Sequence, residues 1–322
     1  MDLFNSALGR NITFIHPAFF TISGFLGIPY VKYYYAFLFF VYIISVLGNM
    51  AVMAVIYLDH NLRTAKYVAV FNLALVDLLE STALVPKVLD IFLFDHFNIP
   101  YNDCLTFLFF CFTFLVMQAL NLVALSYDRL MAIMFPLHYQ TKVTTRVMLS
   151  LIGFFWILAI ISPLILVGFV TRLSFCESVV INSYFCDHGQ IYRLACNDNY
   201  PNDIIGYFFT FLFVWTPFAI ILCSYLCIGY ALAKVATAQE RMKAFKTCTA
   251  HLSLVAIYFI PMLITFIIGG NIHPNSRIIN LSLSSMFPPM LNPIIYVLQT
   301  QEIILSLKKF YKKKKAIKNM FE

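Results

Sequence analysis

An acid and a base stand side by side at Asp128 and Arg129, where an apolar run that begins near Cys104 gives out. A mixed segment with Pro136 and His138 follows. Charges at the edge of a membrane span are costly to place and often functional. The chemistry open to such a pair is electrostatic: a carboxylate holds a guanidinium, and a movement lets it go. The plain alternative is that the pair marks only the boundary between hydrocarbon and water. A second ionisable group, Asp77, Glu80 and Lys87, lies inside another apolar run. At about 100° per residue, Glu80 and Lys87 lie about 20° apart and Asp77 about 60° from Glu80. All three therefore share a helix face that must turn toward the bundle interior. They form an internal Glu80–Lys87 ion pair, or they border a water-filled cavity or cation site.

Nothing else in the sequence suggests covalent chemistry. It has no Gly-rich phosphate loop, no HExxH helix and no nucleophile elbow. His138 and His251 stand alone, as packed or capping residues rather than ligands. No catalytic residue, metal or cofactor is expected.

The elements that must position these groups are membrane helices. The 322 residues are 61% hydrophobic, 17% aromatic and 11% charged, against about 25% charged in a soluble domain. Apolar runs long enough to cross the bilayer, roughly 20 residues each, fall at about 34–58, 67–92, 104–129, 147–170, 203–232, 245–268 and 277–298. Each must close its own backbone hydrogen bonds as a helix. The expected fold is an all-α, seven-transmembrane bundle, its third, fourth and sixth spans the clearest. The second and seventh carry polar residues.

The net charge of +7 does not point to nucleic acid, because the basic residues are sorted by side. Arg63, Lys66, Arg129, Lys142, Arg146, Lys234, Arg241, Lys243, Lys246, Lys308, Lys309, Lys312–Lys315 and Lys318 fall on one side, against Arg10, Lys32, Arg172, Arg193 and Arg277 on the other. The positive-inside rule makes the first set cytoplasmic. The N-terminus is then outside and the C-terminus inside, in a multi-pass plasma-membrane protein. The first thirty residues lack a cleavable signal pattern, so the first span is expected to direct insertion. Asn11-Ile12-Thr13 is a glycosylation triplet on the outer side. Asn280-Leu281-Ser282 also matches but lies within a span.

Cys111, Cys223, Cys227 and Cys248 fall within spans, as small apolar groups. Cys104, Cys176, Cys186 and Cys196 fall on the oxidising side, where four cysteines allow three pairings and spacing does not choose. Any of these ties the outer segment 171–202 over the bundle as a lid. Pro163, Pro217, Pro261, Pro288, Pro289 and Pro293 give neighbouring spans places to bend. Thr300–Tyr311 sets Ile303, Ile304, Leu307 and Phe310 opposite Glu302 and Lys308, an amphipathic helix on the inner leaflet. Lys312–Lys315 would meet anionic lipid.

Together these residues resemble the rhodopsin-like (class A) G-protein-coupled receptors, and within them the odorant receptors. The resemblance covers essentially the whole chain. Gly48-Asn49, Leu73–Asp77, Asp128-Arg129, Trp156 and Asn292–Tyr296 stand where the superfamily expects them. Pro86-Lys87, SYDRLMAIMFPLHY at 126–139, the Cys176/Cys186/Cys196 spacing, Ser224-Tyr225, KAFKTCTAHL at 243–252 and PPMLNPIIY at 288–296 carry the narrower likeness. Pro288-Pro289 and Ile260-Pro261-Met262 look most like the fish-type (class I) branch.

The resemblance implies an extracellular N-terminus over 1–33, a receptor domain over 34–298, and a cytoplasmic helix and basic tail over 299–322. It implies that Cys104 pairs with Cys186 and Cys176 with Cys196. Asp128 would hold Arg129 at rest, and Arg129 would meet the G protein as the sixth helix swings out, with Tyr225, Asn292, Pro293 and Tyr296 rearranging. The implied function is to bind a small odorant and activate a stimulatory G protein, raising cyclic AMP. Cys111, Phe112, Leu115, Val116, Phe209, Phe213, Phe259, Met262, Leu263 and Phe266 would line the pocket. Class I receptors are associated with small, often acidic odorants. Ile264–Gly270 offers no base, so an acid would need Lys87, His273 or Arg277.

The sequence departs from the family at Leu130, where a tyrosine is usual, and at Gln118, where a glutamate commonly faces the second-helix acid. A sodium site on Asp77 loses that carboxylate, which Glu80 could replace. Tyr258-Phe259 reverses the usual order and takes a hydroxyl from the pocket floor. The neighbouring readings are a non-olfactory class A receptor for another small molecule or lipid, and a channel or transporter. The latter needs a polar stripe through several helices, and only the second span has one.

Overall fold

The computed structural model describes residues 2–5, 10–25, 27–234, 238–268, 273–299, 302–306 and 308–309. Seven long helices account for most of them: α1 (Val31–Leu58), α2 (Ala65–Leu93), α3 (Tyr101–Met134), α4 (Thr145–Val170), α5 (Tyr200–Ala233), α6 (Ala238–Ile268) and α7 (Pro274–Gln299). Each contains one predicted run and overshoots it by a turn or less, except α3, which runs on through Asp128-Arg129 to Met134, and α6, which begins about two turns before its run. Six are long and apolar enough to cross a membrane. The sixth, expected among the clearest, has a shorter apolar part among the described residues, His251–Ile267. The charged residues Glu240, Arg241, Lys243 and Lys246 occupy its first turns.

The helices close into a bundle around α3, which packs against α2, α4, α5 and α6. α7 closes the ring against α1, α2 and α6. Apolar side chains left outside, such as Phe40, Leu47, Leu149, Ile157, Phe211 and Leu226, are exposed as a lipid-facing surface is. Loop chemistry sets the helix ends. Asp59 stops α1 and accepts from the Asn61 backbone at 3.1 Å, and the Thr144 hydroxyl caps α4 by accepting from Val147 N–H at 3.3 Å.

Pro86, Pro163, Pro261, Pro288, Pro289 and Pro293 all lie inside helices. α5 widens into a π turn over Phe211–Trp215, just before Pro217. Pro217 donates no N–H to the ladder, and the Thr216 hydroxyl bonds the Phe211 carbonyl at 3.1 Å there. A small sheet covers one end of the bundle. β3 (Phe19–Ile22) pairs antiparallel with β4 (Asn98–Pro100) and parallel with β5 (Val180–Ile181). Before it, β1 (Asp2–Asn5) and β2 (Arg10–Thr13) form a hairpin. Phe20 and Ile22 are fully buried, with the outward residues between and before them. The N-terminal segment is thus stitched to the lid.

Candidate functional site

At one end of the bundle, Asp128 is buried and faces Arg129, with Oδ2 to Nη2 3.5 Å. That is an ion pair without a hydrogen bond, and the firmer partner of Asp128 is the Tyr139 hydroxyl, which donates to Oδ1 at 2.6 Å. The Arg129 side chain is 16% exposed, neither sealed nor turned wholly outward. Close by, the Tyr225 hydroxyl lies 2.7 Å from His251 Nδ1, and His251 Nε2 lies 3.1 Å from the Leu122 carbonyl. A carbonyl only accepts, so Nε2 carries the proton and Tyr225 donates to Nδ1. His251 therefore joins α5, α6 and α3, a role its solitary place in the sequence did not show. Tyr139, the last residue of the 126–139 motif, likewise shows no partner in the sequence.

Deeper in the bundle, one carboxylate joins three helices. Asp77 accepts from the Gln118 amide at 2.9 Å and from the Asn292 amide at 2.7 Å. Asn49 donates to the Pro289 carbonyl at 2.8 Å, tying α1 to α7. Gly48 lets those helices close: a Cβ there would meet Pro293 Cβ at 3.0 Å. Tyr296 is part-buried in the same layer, and its hydroxyl has no hydrogen-bond partner. A further buried triad links α2, α3 and α4, where Asn72 donates to Asn121 at 2.7 Å and accepts from the Trp156 indole at 3.0 Å.

The Glu80–Lys87 ion pair is not formed. Lys87 turns instead to Asp90, 3.2 Å away, near the end of α2, where its long side chain reaches water. Glu80 stays buried, and its Oε2 has no hydrogen-bond partner. Among the described residues no group of three or more His, Cys, Asp or Glu could hold a metal ion. Of the suggested sodium set, Asp77 and Gln118 bond each other, while Glu80, one turn along α2, joins neither in a hydrogen bond.

Toward the other end, Cys111, Val116, Phe209, Phe213, Phe259 and Met262 are buried, with Phe112, Leu115 and Leu263 part-buried beside them. Phe266 does not belong to this set, being 47% exposed. The face of α6 turned to α7 there carries Pro261 and Thr265, which Asn280 grips at 2.6 Å and 2.7 Å. Tyr258 keeps a hydroxyl in the interior despite the reversed order, donating to the Leu115 carbonyl at 2.8 Å.

The lid is fastened from several sides. Disulfides join Cys104 to Cys186 and Cys176 to Cys196. The Tyr184 ring is fully buried, its hydroxyl 3.0 Å from Ser285 Oγ and 3.2 Å from the Leu281 carbonyl. Arg277 pairs with Asp187 at 2.5 Å. His188 is buried beside α5, and that burial pushes its imidazole below the ordinary range. Of the three suggested acid anchors, Lys87 and Arg277 are committed to carboxylates, and His273 Nδ1 accepts from the Asn275 backbone at 3.2 Å.

Beyond α7, Glu302 accepts from Tyr67 and pairs with Lys66 at 3.4 Å, while Ser306 donates to Asp59 at 2.7 Å. The Tyr67 hydroxyl holds Glu302 below the usual carboxylate range, and Ser306 does the same for Asp59. A cavity of about 910 Å³ opens between this segment, residues 59–67 and residues 139–145. Leu307, Phe310, Lys312–Lys315 and the side chain of Asn11 lie outside the described residues.

The sequence profile of the olfactory receptor family matches residues 38–314. Mouse olfactory receptor 1E16 is 35% identical over 93% of this chain and 98% of its own. Rat olfactory receptor 1 is 34% identical over the same shares, and rat olfactory receptor-like protein I9 is 34% identical over 90% and 94%. The chain belongs to the olfactory receptor family, whose members are class A G-protein-coupled signalling receptors of the plasma membrane rather than enzymes.

Proposed function

We propose that this odorant receptor takes a small ligand among Cys111, Phe112, Leu115, Val116, Phe209, Phe213, Phe259, Met262 and Leu263, and answers by activating a stimulatory heterotrimeric G protein that raises cyclic AMP. The pocket is apolar with few polar groups, as small-molecule sites usually are. The N-terminus, lid and disulfides face outside, with Asn11 the glycan acceptor. Arg129, Lys66, Lys142, Lys234 and Lys309 face the cytosol, and the segment after α7 rests on lipid.

The observation that carries this reading is the state of Arg129: part-exposed, 3.5 Å from its carboxylate, and beside the Tyr225–His251–Leu122 bridge. A guanidinium so loosely held needs little to be released. Separation of α6 from α3 breaks the His251 contact and opens the space beside it, giving the two discrete arrangements a switch requires. Odorant-evoked cyclic AMP in cells carrying the full chain tests it. Arg129→Ala is expected to abolish the response while surface expression persists. An odorant response that survives the substitution refutes the assignment of Arg129.

A further inference from the structure

Glu80 is a buried carboxyl that the proposed switch does not use. It lies on α2, one helical turn from Asp77 toward the lid, and is buried. The two carboxylates have opposite fates. Asp77 receives amide donors from Gln118 and Asn292. Glu80 makes no ion pair among the described residues, and its Oε2 accepts no hydrogen bond. Cys111 from α3, Tyr184 from the lid and Tyr258 from α6 are near enough to feel its charge. Tyr184 and Tyr258 spend their hydroxyls elsewhere, on Leu281, Ser285 and Leu115. The carboxyl thus lies near a pocket residue of α3, the lid and the sixth helix, with no protein donor supplied to Oε2.

A lone carboxylate in a medium of low dielectric is expensive to keep charged. It is relieved by a proton or by a cation that brings its own donors. Two of the basic side chains suggested as anchors cannot help, since Arg277 is held by Asp187 and Lys87 by Asp90. Those same commitments leave an acidic ligand without either of these two as a counter-charge. Around the pocket, then, the unmet demand is for positive charge.

We propose that Glu80 anchors the ammonium group of an amine odorant, with the ligand's hydrocarbon part lying against Cys111, Phe112 and Leu115. The inference rests on the odorant-receptor reading and names its ligand class. An ammonium gives Glu80 both a counter-charge and N–H donors, and the apolar walls accept the chain. An alcohol of the same length gives one donor and no charge, and a carboxylate adds a second negative charge to the site.

The test is a cyclic AMP dose–response on cells expressing the full chain, using straight-chain primary amines, alcohols and carboxylic acids of matched length. The expected order of potency is amine, alcohol, acid. Glu80→Gln keeps the shape and removes the charge, and is expected to weaken the amine roughly thirtyfold while leaving the alcohol nearly unchanged. Should the variant not reach the surface, the wild-type order still decides. Acids outranking amines overturns the proposal, as does an amine response indifferent to Glu80→Gln. So does an effect of Glu80→Gln confined to the sodium dependence of basal signalling, which would make the site one for an inorganic ion. Failure of all three series on a surface-expressed receptor that also ignores a broad neutral odorant panel counts instead against the odorant reading itself.

Discussion

His251 Nδ1 accepts the Tyr225 hydroxyl at 2.7 Å while its Nε2 donates to Leu122 at 3.1 Å, so one buried imidazole holds α5, α6 and α3 together beside Arg129. In the proposed switch, both bonds span helices that separate as Arg129 is released. Tyr225→Phe keeps the ring and deletes one bond, a net loss of about 1 kcal/mol. If the bond exists only in the closed arrangement, its loss shifts the population by about fivefold. Ligand-free cyclic AMP is expected to rise by that order at matched surface expression. An unchanged or lower basal signal means that the bond persists in the signalling state.

The Asp187–Arg277 pair is the lid's charged fastening to α7, at 2.5 Å with both side chains mostly buried. Asp187 also accepts from the Gly189 backbone at 3.1 Å, starting the short helix that carries His188. Removing one partner of a mostly buried pair strands the other, at about 3 kcal/mol or more. Arg277→Ala is expected to make the 171–202 segment readily cleaved by protease added outside intact cells. The charge exchange Asp187→Arg with Arg277→Asp is expected to restore part of the protection. Equal cleavage of wild type and Arg277→Ala shows that the two disulfides alone hold the lid.

His188 gives the lid a dependence on acidity. Burial lowers its affinity for a proton below that of an exposed histidine, which titrates at 6.5. As pH falls through that value the unfolded lid takes up a proton that the folded lid resists, so acid destabilises the folded form. The neutral imidazole is fully tolerated above it. Asp187 on the adjoining residue opposes the effect without cancelling it. The thermal midpoint of the purified receptor is expected to drop between about pH 7.5 and about pH 5.5. In His188→Gln that part of the drop disappears, and an identical pH profile in the variant removes His188 from the account.

The spans were legible because hydrophobicity and length are sufficient in a bilayer, where no other backbone closure is open to an exposed segment. α3 outran its prediction because Asp128 has its own hydrogen-bonded partner in Tyr139, so charge did not end the helix there. The β3–β4–β5 sheet was not foreseen, since strands of two to four residues leave too little pattern to read. Its burial of Phe20 and Ile22 depends on the lid lying above them. At 100° per residue Glu80 and Lys87 share a face, yet a shared face is not a contact. Lys87 had a nearer carboxylate three residues on and water within reach. The same limit hid His251, whose two partners lie 26 and 129 residues away in sequence.

Asn72 is the hub of a polar triad that the motif residues did not connect: it donates to Asn121 at 2.7 Å and accepts from Trp156 at 3.0 Å. Trp156 stood in the sequence as a family landmark, but its indole N–H also reaches across to α2. Interhelical hydrogen bonds in membranes contribute about 0.6 kcal/mol on average and up to about 1.7 kcal/mol. Asn72→Leu removes both bonds and strands two buried groups, so a loss of about 1–3 kcal/mol is expected. Trp156→Phe removes one bond and some packing and should lower the thermal midpoint less. Because the two residues share a bond, the double variant should lose less than the sum of the single losses. Strict additivity would mean that the indole and the amide do not bond, leaving packing to hold this part of α4 against α2.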